Sequence, residues 1–100
     1  MEYEVASTGE LTPGKMAGIE KDGKYILIAN VDGTYYAVND ICTHMGCNLS
    51  GGILKGETVT CPCHTSIFNV KTGAVIKGPA GKTQAVFKTR VEGEKIFVSL

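Results

Sequence analysis

Tyr25-Ile26-Leu27-Ile28-Ala29-Asn30-Val31 and Thr34-Tyr35-Tyr36-Ala37-Val38-Asn39 flank the dipeptide Asp32-Gly33. Both runs are rich in β-branched and aromatic residues. Asp-Gly suits a two-residue hairpin loop, because glycine reaches positive φ at little cost. The stretch therefore predicts two antiparallel strands joined by a tight turn. Tyr25–Ala29 is apolar on both faces, which suits a strand buried within a sandwich rather than one with a solvated side.

The same grammar extends outward along the chain. Asp22-Gly23 separates Met16–Lys21 from Tyr25–Val31, and Gly56-Glu57 precedes Thr58–Cys61. Thr72-Gly73 lies between Ile67–Val70 and Ala74–Ile76, and Glu92-Gly93 joins Ala85–Val91 to Lys95–Leu100. In the last hairpin Ala85, Phe87, Thr89 and Val91 share one face and Lys88 and Arg90 the other. No segment keeps a helical period over three turns. The expectation is an all-β fold, an antiparallel sandwich or partly open barrel.

One hundred residues make one domain, 1–100, with a modest core; folding at this size buries roughly 60–70% of the unfolded surface. Ten basic and ten acidic residues give zero formal net charge, so no global field draws the chain to nucleic acid or anionic lipid. No run approaches the ~18–20 apolar residues of a membrane span, and Met1-Glu2-Tyr3-Glu4 lacks the order of a secretory signal. A cytoplasmic monomer without an anchor is expected.

All four cysteines and both histidines fall in two short stretches, Cys42-Thr43-His44-Met45-Gly46-Cys47 and Cys61-Pro62-Cys63-His64-Thr65-Ser66. Thiolates and imidazoles gathered in this way point to a metal. Sixteen residues, Met45 to Thr60, separate His44 from Cys61 and contain the strand-like Thr58–Thr60. Two loops on neighbouring hairpins can approach one centre from opposite sides, each with one thiolate and one imidazole.

The spacing C-x-H, sixteen residues, C-x-x-H resembles the Rieske iron–sulfur domain, most closely over Asn39–Phe68. In that family two cysteines bind one iron of a two-iron, two-sulfur cluster and two histidines bind the other. The resemblance implies Cys42 and Cys61 as thiolate ligands and His44 and His64 as imidazole ligands of one [2Fe-2S] cluster. The cluster-binding part would span about residues 40–82 and present two loops as a small subdomain. Two ferric ions, two sulfides and two thiolates sum to a neutral oxidised core, whereas four thiolates would leave a dianion. Neutral imidazoles therefore raise the reduction potential, into a family range of about −150 to +300 mV.

The resemblance also assigns roles around the cluster. In the high-potential branch a further cysteine in each loop forms a disulfide, and Cys47 and Cys63 stand at those positions. Two free buried thiols are the other reading, since a reducing compartment disfavours disulfides. Ser66 stands where that branch has a hydroxyl donor to a bridging sulfide. Phe68 replaces a tyrosine that donates to a ligand sulfur, which implies a potential below that of the respiratory proteins. Phe68 as plain core and Ser66 as a loop hydroxyl is a reading true in part whatever the tuning does. Thr65 stands where the family has glycine; a β-branched residue resists positive φ, so a different backbone is expected in the second loop. Gly78-Pro79-Ala80-Gly81 resembles the family's proline loop, though an ordinary turn reads alike. Met45, with Pro79 and Leu49, could form an apolar docking rim, although a lone methionine is more often simple packing.

One-electron transfer as a free ferredoxin follows, with transient redox partners: a reductase, and an oxygenase or cytochrome. Other readings are a high-potential domain of respiratory character and a structural zinc module. Disulfide exchange is disfavoured, because Cys61-Pro62-Cys63 is not a C-x-x-C motif. With both irons fully ligated, no position stays open for catalysis, and an enzyme is not expected.

Overall fold

The computed structural model describes residues 2–42, 46–63, 65–78 and 81–100. The strands are β1 (Glu2–Ser7), β2 (Met16–Lys21), β3 (Lys24–Val31), β4 (Thr34–Asn39), β5 (Ile53–Lys55), β6 (Thr58–Thr60), β7 (Ile67–Asn69), β8 (Val75–Lys77), β9 (Val86–Glu92) and β10 (Lys95–Ser99). One 3₁₀ turn, Leu49–Gly51, precedes β5. Six strands form a sheet in the order β1-β10-β9-β4-β3-β2, and four form a smaller one in the order β5-β6-β7-β8. The pairings are antiparallel throughout.

The β3–β4 hairpin forms as its sequence predicts. Asp32 and Gly33 have φ of 52° and 91°, the two positive values that match the twist of the flanking strands. The first strand was not foreseen: Glu2 and Glu4 alternate with Tyr3 and Val5, too short and too acidic a segment to read alone. It gains its place by pairing with β10. Arg90 on β9 reaches across β10 to Glu2, at 2.9 Å, and its guanidinium lowers the Glu2 carboxyl below the usual range. Strand β5 was also missed, since three residues between glycines carry no period.

Strand β3 serves two cores. Ile26 and Ile28 pack with Leu11, Tyr35, Ala37, Ile96 and Val98 inside the curl of the large sheet. Leu27, Ala29 and Val31 point the other way, into a cluster with Leu49, Val59, Phe68 and Val70 from the smaller sheet and its approach. Tyr25 departs from expectation, being 44% exposed at the start of the strand. Segment 8–15 closes one end of the large sheet, where the Leu11 carbonyl accepts hydrogen bonds from Tyr35 Oη and Asn30 Nδ2 at 2.8 and 2.9 Å. Among the described residues no helix is long and apolar enough to cross a membrane.

Because Leu27 is fully buried at the junction of the two sheets, Leu27→Ala should cost about 3 kcal/mol. The expected outcome is a fall in apparent Tm of roughly 10 °C or more by circular dichroism at matched scan rate.

Candidate metal centre

The two cysteine loops are built on one plan. The Cys42 N–H donates to the Cys47 carbonyl at 2.7 Å, and the Gly46 N–H returns to the Cys42 carbonyl at 3.0 Å. In the second loop the Cys61 N–H donates to the Ser66 carbonyl at 2.8 Å, and the Thr65 N–H returns to the Cys61 carbonyl at 3.2 Å. Each loop thus closes on a cysteine at its first position and turns through positive φ at its fifth, 75° at Gly46 and 61° at Thr65.

The Thr65 conformation overturns the expectation of a different backbone. The threonine takes the conformation usually left to glycine, at a cost of about 1–3 kcal/mol that the loop's own closure holds in place. Ser66, the next residue, is fully buried.

The cysteines divide into two chemical kinds. Cys42 and Cys61 are free thiols, 3% and 1% exposed, and both belong to the apolar cluster with Phe68, Leu49 and Val59. Cys47 and Cys63 form a disulfide with Cα atoms 6.4 Å apart, within the range such a bond spans. It ties the last residue of the first loop to the third of the second. Two buried thiols on like-shaped loops, joined by an adjacent covalent clamp, form a donor set that fits a thiolate-bound iron. His44, His64, Met45 and Pro79 lie outside the described residues.

Leu49 corrects a further expectation. It is fully buried in the apolar cluster, so it is a core residue and forms no docking rim. The 3₁₀ turn carries it inward, beneath the first loop. Phe68 is likewise fully buried, on the face of β7 that meets Val59 and the two thiols.

Two buried polar residues hold the loops from below, and the motif reading missed both. Asp40, 2% exposed, accepts from Asn48 Nδ2 at 2.9 Å, Ser50 Oγ at 2.7 Å and the Ser50 N–H at 2.7 Å. Its own carbonyl accepts from the Leu49 N–H at 2.7 Å. The segment before the first loop is therefore joined to the segment after it through the Asp40 carboxylate, beside the Ile41–Asn48 bridge. Gly18 makes room for this network, since a Cβ there would lie 2.2 Å from Ser50 Oγ.

Gln84, also 2% exposed, donates through Nε2 to the carbonyls of Asn39 and Ile41 at 2.6 and 2.8 Å. Its N–H donates to the Gly73 carbonyl at 2.8 Å, which joins the β7–β8 turn to the base of the first loop. An aspartate two residues before a cysteine was a legible hint; an isolated glutamine forty-odd residues away from its partners was not.

A protein-family model described as the Rieske [2Fe-2S] domain matches residues 1–89. The ferredoxin component of biphenyl 2,3-dioxygenase from Rhodococcus jostii (strain RHA1) is 35% identical over 96 residues, which cover 96% of this chain and 90% of that protein. The biphenyl dioxygenase ferredoxin subunit of Pseudomonas sp. (strain KKS102) is 38% identical over 93 residues, 92% of this chain and 85% of the relative. Among solved structures, a chain in the complex of reduced oxygenase and oxidized ferredoxin of carbazole 1,9a-dioxygenase superposes with a TM-score of 0.94. It is 29% identical, and the match covers 98% of this chain and 92% of that one.

Alkylation of the unfolded, unreduced apoprotein should label two of the four cysteines, Cys42 and Cys61, as read by intact mass. Labelling of all four would contradict the bridge. Thr65→Gly should relieve more strain than the glycine adds in unfolded entropy, stabilising by about 0.5–1 kcal/mol. The expected outcome is a Tm raised by roughly 3–6 °C.

Proposed function

The chain belongs to the Rieske [2Fe-2S] domain family and holds one such cluster, and from that premise we propose that it carries single electrons from a reductase to an oxygenase. One observation bears most weight: two buried free thiols, Cys42 and Cys61, at the same position of two like-shaped loops. The relatives in which the chain finds its counterparts are ferredoxin components of dioxygenase systems, and one of the solved ones is in complex with its oxygenase.

In this reading Cys42 and Cys61 bind one iron and His44 and His64 the other. When bound, the cluster supplies a one-electron site whose irons are fully ligated, so the chain is a carrier and not an enzyme. The protein's own part is mechanical and electrostatic. The apolar cluster around Leu49, Val59 and Phe68 keeps water from the thiolate side, which holds that environment low in dielectric. The Asp40 and Gln84 contacts and the Cys47–Cys63 bridge fix the loops, so that little rearrangement accompanies gain or loss of an electron. Residues 1–100 act as one domain whose cluster-binding part runs from about 40 to 82, and a cytoplasmic location belongs to the same proposal.

The disulfide favours a second reading, a carrier of high-potential character. Phe68 weighs against it, because its ring brings no hydroxyl to the ligand sulfur. A potential between the two classes follows.

A redox titration monitored by electron paramagnetic resonance tests the assignment. The reduced protein should give one rhombic signal with the lowered average g value of a histidine-ligated two-iron cluster. A signal typical of four-thiolate ligation would refute the ligand set. Ser66→Ala should lower the midpoint potential and Phe68→Tyr should raise it, through loss or gain of a donor to sulfur; unshifted midpoints in both would refute the tuning roles.

A further inference from the structure

Charge is unevenly divided along a chain whose total is zero. Residues 41–85, which hold the small sheet and the cysteine loops, contain four lysines (Lys55, Lys71, Lys77 and Lys82) against one acid, Glu57, a net of +3. The remainder carries six basic residues against nine acidic ones, a net of −3. Within the small sheet Lys71 neutralises Glu57 in an ion pair at 3.0 Å. Lys55 and Lys77 are exposed and form no ion pair among the described residues.

The outer face of that sheet also exposes apolar surface, as do Tyr25, Val86 and Val91 on the large sheet. Ile53, Thr60, Ile67 and Lys77 are cross-strand partners in one row, so their side chains point to the same side. Their neighbours Leu54, Val59, Phe68 and Val75 form the opposite, inward row. The outward row lies at the foot of the second cysteine loop, since Cys61 follows Thr60 and Ser66 precedes Ile67. Ile53 is 68% exposed on the edge strand β5. A depression of about 260 Å³ opens beside it, lined in part by Thr60, Cys61, Pro62 and Thr65. The buried thiol of the second loop is thus next to an uncharged hollow, and Lys55 and Lys77, with no ion pair among the described residues, stand on the two edge strands of the same sheet.

We infer that this face, centred on Ile53 and Ile67 and flanked by Lys55 and Lys77, docks a redox protein whose own surface is acidic around an apolar centre. The inference rests on the carrier reading and names the kind of partner it requires. Apolar contact at the centre excludes water, while the lysines attract an anionic partner and the net negative charge of the remaining residues favours approach by the small sheet and its cysteine loops. A small footprint, below ~1,200 Å², suits rapid exchange between donor and acceptor.

The test uses the reduced holoprotein and two acceptors that share one haem and one fold: cationic cytochrome c, and the same protein made anionic by succinylation of its lysines. Stopped-flow rates are followed against ionic strength. The succinylated form should be reduced at least about fivefold faster at low salt, with a rate that falls as salt rises, while the native form shows the opposite slope. The double variant Lys55→Glu/Lys77→Glu should invert the preference, and Lys95→Glu, at the β9–β10 turn, should not. A preference for native cytochrome c, or a preference the double variant leaves unchanged, would overturn the docking face. Failure of the reduced protein to pass an electron to either acceptor would instead remove the carrier reading, and the docking face with it.

Discussion

Two peptide N–H groups, those of Cys42 and Cys61, bond forward to the carbonyl five residues on, and the other features of the site are arranged around that closure. A loop closed in this way holds its first residue at the base, with the thiol turned into apolar surroundings. It also forces one residue near its end through positive φ. Gly46 meets that demand without cost, whereas Thr65 meets it against its own steric preference. That the second loop keeps the same shape with the wrong residue type shows which force is the stronger. Hydrogen-bond closure at both loop ends, the disulfide to Cys47 and the pull of a buried Ser66 outweigh a local strain of a few kcal/mol at most.

The frame beneath the loops depends on one strand with two apolar faces. Because β3 gives Ile26 and Ile28 to the large sheet's interior and Leu27, Ala29 and Val31 to the smaller sheet, neither core can be disturbed alone. The thiols of Cys42 and Cys61 sit in the second of these cores, so packing and the candidate metal centre share residues. Phe68 and Leu49 belong to the same core that encloses both thiols. A void made there would loosen the loops as well as lower stability.

Polar groups supply what apolar packing cannot, which is direction. Asp40, just before the first loop, binds Asn48, Leu49 and Ser50 just after it, and Gln84 ties that loop's base to the β7–β8 turn. Among the described residues no buried side-chain nitrogen or oxygen lacks a partner, as expected where an orphaned group would cost 1–3 kcal/mol or so. At the surface, Arg90 with Glu2 secures the first strand, while Lys55 and Lys77 on the small sheet have no ion-pair partner among the described residues. The one arrangement serves folding and the other leaves charge available to a partner.

Turn chemistry and residue alternation were legible in the sequence, because both act within a few residues. The hairpins at Asp22-Gly23, Asp32-Gly33, Thr72-Gly73 and Glu92-Gly93 lie within a residue or so of where they were expected. The cysteine–histidine spacing named the family, and its cysteine pair foretold the bridge. Strand β1 was not legible, because its stability comes from β10 at the other end of the chain. Leu49 read as an exposed apolar residue and is core, because a short 3₁₀ turn decides which way it faces. The Thr65 backbone, the Asp40 and Gln84 anchors and the alignment of Ile53 and Ile67 in one outward row were decided by tertiary structure. The sequence by itself determined the chemistry available: which groups can ligate, which pairs can turn, which runs can pair. Only the fold decided which of them meet, since burial, strain and partnership arise from contacts between residues far apart in the chain.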